Sequence, residues 1–226
     1  MRIAEIFHSV QGEGMLVGMP SVFVRTSGCN LRCSFCDTPY TSWNPEGSSW
    51  SVNAVIEQVK RYNCQHVVVT GGEPLIAPEM EELCQLLKQA GYHITIETAA
   101  TVFKPLAADL MSLSPKLANS TPGVETGWAD RHDRERINLP VIQQFLDHYE
   151  CQFKFVMDAP EDLAEVQQIL GRLLRVKRET IFLMPQALDA ATLAEKGRWL
   201  AELCKTHGYR LGSRLHIDLW GHTRGT

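Results

Sequence analysis

Residues 29–36 read Cys29-Asn-Leu-Arg-Cys33-Ser-Phe-Cys36 and place three cysteines within eight residues. Three thiolates at this spacing can hold three corners of a [4Fe–4S] cubane, which takes one ligand per iron. Nothing nearby supplies a fourth thiol, so one iron would stay open to an exogenous ligand. Zinc is the main alternative, but structural zinc needs four closed ligands, and Asp37 and His8 are poorly placed to complete the set. The stretch therefore predicts an iron–sulfur cluster on the three cysteines.

The remaining cysteines do not suggest a disulfide scaffold. The total of seven is odd, and no signal peptide is visible in the 226 residues. Cysteine use of this kind is typical of a reducing compartment. The other four are interpreted as small buried side chains, Cys64, Cys84, Cys151 and Cys204.

Length and charge narrow the class of protein. A chain of 226 residues is expected to fold as one domain over residues 1–226, since α/β barrels commonly reach this length as a single unit. The formal net charge of −4 and the isoelectric point near 6.1 argue against a nucleic-acid partner. No apolar run approaches the roughly 18 residues that a membrane span needs. We therefore expect a cytoplasmic protein without a membrane partner.

Apolar β-branched runs alternate with amphipathic segments along the chain, which predicts a parallel sheet with helical crossovers. The predicted strands are 21–25, 66–70, 93–97, 109–113, 152–157, 180–184 and 215–219. The predicted helices are 52–62, capped by Ser51, and 78–90, 139–149, 161–174 and 190–207. About six βα units are too few for a closed eight-stranded barrel. The expected fold is α/β, a partial (β/α)6-type barrel, and residues 114–136 are expected to form a long loop.

Polar motifs follow the predicted strands, at the end of a barrel where functional groups collect. Thr70-Gly71-Gly72-Glu73-Pro74 lies at the end of the strand at 66–70. Adjacent glycines let a backbone approach a ligand closely, but a Gly-Gly pair also occurs in ordinary turns. Ser114-Pro115-Lys116 follows the strand at 109–113 and can bind a ligand's hydroxyls or carboxylate, or serve only as a turn. Glu97 can hold hydroxyls or an amine, or be a solvated acid.

Beside these motifs, residues 6–14 read IFHSVQGEG and precede the first predicted strand, residues 23–25 read FVR, and residues 28–38 read GCNLRCSFCDT. In their order and spacing, all of these pieces resemble the radical S-adenosylmethionine (radical SAM) enzymes, and among them the 7-carboxy-7-deazaguanine synthase family. The ending Leu219-Trp220-Gly221 is similar to some members as well. The resemblance covers essentially the whole chain, and its specificity comes from the order of short motifs.

The resemblance implies a radical SAM lyase of queuosine-type 7-deazapurine biosynthesis. Enzymes of this family convert 6-carboxy-5,6,7,8-tetrahydropterin to 7-carboxy-7-deazaguanine with loss of ammonia. S-adenosylmethionine chelates the open iron of the [4Fe–4S] cluster, and its reductive cleavage gives a 5′-deoxyadenosyl radical. That radical removes hydrogen from C6 of the pterin, and the return of hydrogen regenerates the cofactor.

The same resemblance implies residue roles. The cluster ligands would be Cys29, Cys33 and Cys36. The contacts to S-adenosylmethionine would be Phe35, Cys36, Asp37, Gly72, Ser114, Pro115 and Lys116. The substrate contacts would be Val10, Gln11, Gly12, Arg25 and Thr70. Arg25 suits the substrate carboxylate because a guanidinium binds two oxygens at once, and Thr38 would be a contact of Mg²⁺ that is recruited with the substrate.

Two other readings of the cysteine motif stay open at this point. An activating enzyme for a glycyl-radical enzyme has the same cysteine spacing, and a non-enzymatic iron–sulfur or zinc module would bind metal without cleaving S-adenosylmethionine. The expected partners are a pterin, an electron donor such as flavodoxin, and a second copy of the chain in a homodimer. The sequence assigns no role to Glu97, Gln186, Thr226 or the loop at 119–136.

Overall fold

The predicted parallel sheet is present, and two further strands extend it at the amino-terminal edge. The structure is a computed structural model that describes residues 1–226. Its strands are β1 (Arg2–Val10), β2 (Pro20–Thr26), β3 (Ser48–Ser49), β4 (His66–Gly71), β5 (His93–Thr98), β6 (Leu110–Leu113), β7 (Cys151–Met157), β8 (Ile181–Pro185) and β9 (Arg210–Leu211). Its helices are α1 (Val52–Lys60), α2 (Met80–Gln89), α3 (Ala129–Glu135), α4 (Leu139–His148), α5 (Leu163–Leu170), α6 (Ala190–His207) and α7 (Leu215–Trp220).

The sheet has the order β3-β1-β2-β4-β5-β6-β7-β8-β9. From β2 onward every neighbouring pair is parallel, whereas β1 is antiparallel to both β2 and β3. The α/β class is therefore confirmed. Because β3 and β9 form two separate edges, the sheet is open rather than closed on itself, as the partial barrel requires. Parallel register brings the carboxyl ends of seven strands to one edge, where Thr26 pairs with Gly71 and Glu97 with Ser112.

The apolar residues of the strands and helices form one main core. Val22, Val67 and Val69 are buried in the strands, and Leu83 and Leu87 of α2 pack in the same cluster. The helix caps follow the sequence where it offers a suitable side chain. The hydroxyl of Ser51 accepts a hydrogen bond of 3.2 Å from the amide of Ala54, as the predicted cap requires. None of the helices has the combination of length and apolar character that is needed to cross a membrane.

Three predictions about secondary structure are wrong. Residues 6–14 do not precede the first strand, because residues up to Val10 already belong to β1. A register shift between Ile3 and Glu5 interrupts the alternation of apolar and polar residues, so the strand period is not visible in the sequence. Residues 114–136 are not one long loop, since they contain α3. That helix buries only His132 and so shows no apolar stripe.

The third wrong prediction is the strand at 215–219, which is helix α7. Leu215, Ile217 and Leu219 alternate with polar residues, which favours a strand. A strand would place all three on one buried face, but Ile217 is 1% exposed while Leu219 is 55% exposed. The other predicted elements are present with shifted ends; the helix predicted over 161–174, for example, spans Leu163–Leu170.

Candidate active site

A cavity of about 410 Å³ lies at the carboxyl ends of the parallel strands. Its wall is formed by residues of β1, β2, β4, β5, β7 and β8, by residues that follow β6 and β8, by the segment between β2 and β3, and by the last residues of the chain. Of the residues predicted to form the site, Pro115 alone does not line this cavity. The others do: Val10, Gln11, Gly12, Arg25, Cys29, Cys33, Phe35, Cys36, Asp37, Thr38, Thr70, Gly72, Ser114 and Lys116. The unassigned Glu97, Gln186 and Thr226 line it as well.

The three cysteines of the motif lie on the segment between β2 and the turn at Pro39, residues 27–38, which we call the cysteine loop. Their thiols are free and half-buried. Burial raises the pKa of Cys29 to about 12 and that of Cys33 to about 11. Thiols of this kind are poor free nucleophiles at neutral pH, whereas coordination to a metal removes the proton outright. The environment of Cys29 and Cys33 thus disfavours a free thiolate nucleophile.

The thiols of the cysteine loop do not converge on a single point. No three His, Cys, Asp or Glu side chains in the chain meet where a lone metal ion could lie. A cubane does not require such convergence, because each cysteine ligates a different iron. The loop itself is tied down by the indole N–H of Trp43, which donates to the carbonyl of Cys33 at 2.9 Å.

Part of the loop predicted at 119–136 supports the cysteine loop. His132 is fully buried, and its Nδ1 accepts a hydrogen bond of 3.1 Å from the amide of Arg32. Its Nε2 lies 2.9 Å from the hydroxyl of Ser120, which itself donates to the carbonyl of Leu117. The hydrogen-bond network therefore assigns the proton to Nε2. Burial lowers the pKa of His132 to about 4, so the ring is neutral at physiological pH.

Gly71 and Gly72, at the end of β4, form the glycine turn and let the cysteine loop and the sheet approach closely. A Cβ at Gly72 would lie 2.3 Å from the carbonyl oxygen of Gly28 and 2.7 Å from Cβ of Cys29. Only glycine fits there. The neighbouring Glu73 is fully buried, and its carboxylate accepts hydrogen bonds from the amides of Leu75 (3.0 Å) and Ala99 (2.9 Å). Glu73 thereby ties the glycine turn to the end of β5.

Buried ion pairs cross the other part of the cavity. Nζ of Lys154, on β7, lies 2.8 Å from Oε2 of Glu13 and 2.9 Å from Oε1 of Glu97. Burial alone would lower the pKa of Lys154, but the two carboxylates outweigh it and raise the pKa. Glu97 also accepts hydrogen bonds from the side chains of Gln11 (3.2 Å) and Thr70 (3.3 Å). The lysine is therefore a fixed charge that holds two acids in place.

Several of the polar residues predicted to contact a ligand have side-chain groups that face the cavity. Arg25 uses its Nε for Glu5, at 2.6 Å, while its two Nη groups make no hydrogen bond within the protein. These groups are free to bind a carboxylate. Thr38 lies with its Oγ1 3.4 Å from Oδ1 of Asp37, and Nζ of Lys116 lies 2.7 Å from Oγ of Ser114.

Comparisons with known proteins agree with this geometry. Residues 23–166, which include the cysteine loop and the glycine turn, match the Radical SAM superfamily. A 7-carboxy-7-deazaguanine synthase from Halobacterium salinarum is 44% identical over 230 residues, covering 96% of this chain and 90% of that protein. The chain belongs to the 7-carboxy-7-deazaguanine synthase family. A second synthase, from Rhodopirellula baltica, is 43% identical over 227 residues and covers 99% of this chain and 88% of that protein.

The synthase family also shares its fold with this chain at larger distance. The crystal structure of QueE from Escherichia coli superposes with a TM-score of 0.72 at 23% sequence identity. The match covers 95% of this chain and 94% of that one. The chain therefore shares its open α/β fold with that structure.

Three buried charges in this member of the synthase family were not singled out from the sequence. Lys154 carries a weak signal, because it is a cation in the middle of the apolar strand QFKFVM. Glu13 belongs to the QGEG stretch, whose other residues were chosen. Arg214 has no local signal at all, since it precedes a short helix in a polar segment.

Proposed function

We propose that this chain is a 7-carboxy-7-deazaguanine synthase. It converts 6-carboxy-5,6,7,8-tetrahydropterin to 7-carboxy-7-deazaguanine with loss of ammonia, as a radical SAM lyase of queuosine-type 7-deazapurine biosynthesis. The observation that carries this proposal is the near-full-length identity to two named synthases. The cavity supports it, because the three thiols, the glycine turn and Arg25, whose Nη groups have no partner within the protein, all line one space.

The residues present fit a [4Fe–4S] cluster and S-adenosylmethionine. Cys29, Cys33 and Cys36 would hold the cluster, since all three are free thiols that line the one cavity. When bound, the cluster supplies the electron that cleaves S-adenosylmethionine and so starts the radical rearrangement. Gly72 lines the cavity and has no side chain of its own, so its backbone can approach a ligand's ammonium group closely.

We assign the remaining predicted contacts to two sides of the cavity. The cofactor side comprises the cysteine loop with Phe35 and Asp37, the glycine turn, and Ser114, Pro115 and Lys116. The substrate side comprises residues 10–13, Arg25, Thr70, Glu97 and Lys154. On the substrate side, the Nη groups of Arg25 bind the pterin carboxylate as a fork, and Glu97 accepts hydrogen bonds from the N–H donors of the pterin ring. Lys154 holds Glu97 in place through their ion pair.

The charges of the cavity suit these ligands. Five cationic side chains and three carboxylates line it, which leaves a positive surplus. The pterin carries a carboxylate, and a concave site of opposite charge concentrates such an anion. The cations are Arg25, Lys116, Lys154, Arg214 and Arg224, and the carboxylates are Glu13, Asp37 and Glu97.

We further propose that Mg²⁺ binds at Thr38 together with the substrate. The Thr38 hydroxyl lines the cavity and lies 3.4 Å from a carboxylate oxygen of Asp37, so hard oxygen donors are close together there. A lone hydroxyl binds Mg²⁺ weakly, and the pterin oxygens would supply further ligands. The chain is also proposed to act as one cytoplasmic domain, to form a homodimer, and to take its electron from a donor such as flavodoxin.

Anaerobic turnover tests the proposed function. The reconstituted protein is incubated with 6-carboxytetrahydropterin, S-adenosylmethionine, Mg²⁺ and dithionite, and the products are identified by mass spectrometry. We expect 7-carboxy-7-deazaguanine and ammonia without stoichiometric consumption of S-adenosylmethionine. Cleavage of S-adenosylmethionine without that product would contradict the synthase assignment and favour an activating enzyme. No cleavage by a fully loaded cluster would contradict radical SAM chemistry itself.

A further inference from the structure

The last residues of the chain join the two ends of the open sheet. We call residues 212–226 the closing segment. At one end, the amide of Gly212 donates to the carbonyl of Leu183 on β8, at 2.8 Å. Further on, the amide of Leu215 donates to the carbonyl of Gly12, at 3.0 Å, just beyond β1. The closing segment therefore bridges the gap that the open sheet leaves between β8 and β1.

Arg214 is the central residue of the closing segment. It is 8% exposed, and all three of its side-chain nitrogens donate hydrogen bonds. Nε donates to Oε1 of Glu13 at 3.1 Å, Nη2 to Oδ2 of Asp37 at 2.5 Å, and Nη1 to the carbonyl of Ala187 at 2.7 Å. Two carboxylates from different walls of the cavity thus share one buried cation.

The two carboxylates belong to opposite sides of the proposed site. Asp37 directly follows the cluster ligand Cys36 and is on the cofactor side. Glu13 is on the substrate side, where its other oxygen pairs with Lys154 and, through it, with Glu97. Asp37 and Glu13 are like charges, and the guanidinium of Arg214, which pairs with both, offsets their repulsion. The position of Asp37 therefore depends on Glu13 through Arg214.

We propose that Arg214 is a positioning residue that couples the binding of S-adenosylmethionine to the binding of the pterin. A ligand that orders Glu13 on the substrate side fixes Arg214, and Arg214 then fixes Asp37 for the ligand on the cofactor side. The reverse follows by linkage, because coupling between two binding sites is reciprocal. Arg214 itself need not touch either ligand. This inference rests on the proposed function.

A purely structural role is the competing explanation. In that case, Arg214 would only hold the closing segment in place. Its loss would lower stability and the affinities for both ligands, but the ratio of the S-adenosylmethionine affinities with and without the pterin would stay the same. Coupling through Arg214 predicts that this ratio of affinities changes. Arg214→Gln removes the charge, whereas Arg214→Lys keeps it but cannot form the fork that reaches both carboxylates. Arg178→Gln is the matched control, because Arg178 is exposed, donates to the carbonyl of His207 and does not line the cavity.

The test is anaerobic equilibrium binding of S-adenosylmethionine to the reconstituted protein, with and without 6-carboxytetrahydropterin and without reductant. Wild type and Arg178→Gln are expected to bind S-adenosylmethionine about fivefold tighter or more when the pterin is present. In Arg214→Gln this factor is expected to fall to about one, with Arg214→Lys between. The affinity for the pterin, measured with and without S-adenosylmethionine, should show the same factors.

Several outcomes would overturn the inference. One is that the pterin tightens S-adenosylmethionine binding as much in Arg214→Gln, with intact iron content, as in wild type. Another is that the pterin does not change S-adenosylmethionine binding in wild type. If Arg214→Gln does not fold, Arg214→Lys decides alone: a wild-type factor there rejects the coupling role. Product formation by wild type is measured on the same preparation. A wild type that makes no product contradicts the proposed function, whereas product without a change of factor contradicts only the role of Arg214.

Discussion

The cofactor side and the substrate side of the cavity are held in shape by different interactions. Apart from the ion pair of Asp37 with Arg214, the cysteine loop is fixed by hydrogen bonds of neutral groups, such as the one between His132 and the amide of Arg32, and by the close approach at Gly72. The substrate side is fixed by buried ion pairs that run from Glu97 through Lys154 and Glu13 to Arg214. Neutral contacts set distances with little dependence on charge, whereas a buried ion pair fails as soon as one partner is lost.

The largest expected effect of a single substitution is on the cofactor side. Cys33→Ala is expected to abolish the brown colour of the reconstituted protein and all cleavage of S-adenosylmethionine, because two thiols cannot hold the cubane. Iron content, the visible absorption spectrum and the yield of 5′-deoxyadenosine measure the loss. Cys84→Ala is the matched control, since Cys84 is buried in the apolar core and lies outside the cavity. A Cys33→Ala protein with full activity would refute the cluster assignment.

Lys154→Met tests the substrate side. The substitution leaves Glu13 and Glu97, whose side chains are 16% and 21% exposed, without their shared cation, and removal of one partner from a largely buried ion pair typically costs about 3–5 kcal/mol. We expect a loss of that order in the free energy of unfolding, measured with urea on the cluster-free protein, and loss of pterin binding. Lys60→Met is the control, because Lys60 pairs with Glu57 at 2.9 Å on the exposed surface of α1.

The control is expected to change stability far less than Lys154→Met. Equal losses in the two variants would show that the buried pairs contribute nothing beyond surface charge. The cluster should still form in Lys154→Met that is reconstituted below its unfolding transition, since no thiol contacts Lys154. Failure to load iron there would show that the two sides of the cavity are not independent in structure.

The difference between the two sides also explains what could be predicted from the sequence. The cofactor side is built from contiguous motifs, and each of them lies at the end of a strand whose apolar run is visible. The ion pairs of the substrate side join residues that are far apart, 141 positions for Lys154 and Glu13 and 201 positions for Arg214 and Glu13. No local pattern records such a pairing. The sequence therefore predicts that Arg25 and Thr70 face a substrate but not what holds the acids beside them.

The same reasoning applies to the fold. Buried parallel strands such as His66–Gly71 are β-branched runs, and their prediction needs no knowledge of their neighbours. The elements that were missed or wrong depend on distant contacts: β1 has a register shift against β2, α3 packs one histidine against the cysteine loop, and α7 starts where Leu215 bonds to Gly12. Each of these contacts is formed only in the folded chain.

His132 gives a smaller effect that depends on pH. The unfolded chain binds a proton on this histidine near its ordinary pKa of 6.5, whereas the folded chain does so only near pH 4. The unfolded state therefore binds more protons between these values, and stability is lost as the pH falls through this window. The expected loss from this group between pH 7 and pH 5 is about 2 kcal/mol.

Urea unfolding of the cluster-free protein at pH 7 and pH 5 measures this loss, and His132→Gln isolates the histidine from other titrating groups. The difference between the two pH values should be smaller in the variant than in wild type by that amount. Identical pH dependence in the two proteins would show that His132 is not held neutral by the fold. Such a result would also argue against His132 as one of the residues that hold the cysteine loop in place.

The smallest expected effect lies at Thr38, where the two sides of the cavity meet. Thr38→Ala removes one weak oxygen ligand, and Mg²⁺ keeps its waters and the substrate oxygens. We therefore expect a several-fold rise in the Mg²⁺ concentration that gives half-maximal turnover, with the cluster spectrum unchanged. Thr38→Ser restores the hydroxyl and should restore the Mg²⁺ response. If Thr38→Ala responds to Mg²⁺ as wild type does, the hydroxyl is a turn group of the cysteine loop and the metal binds elsewhere.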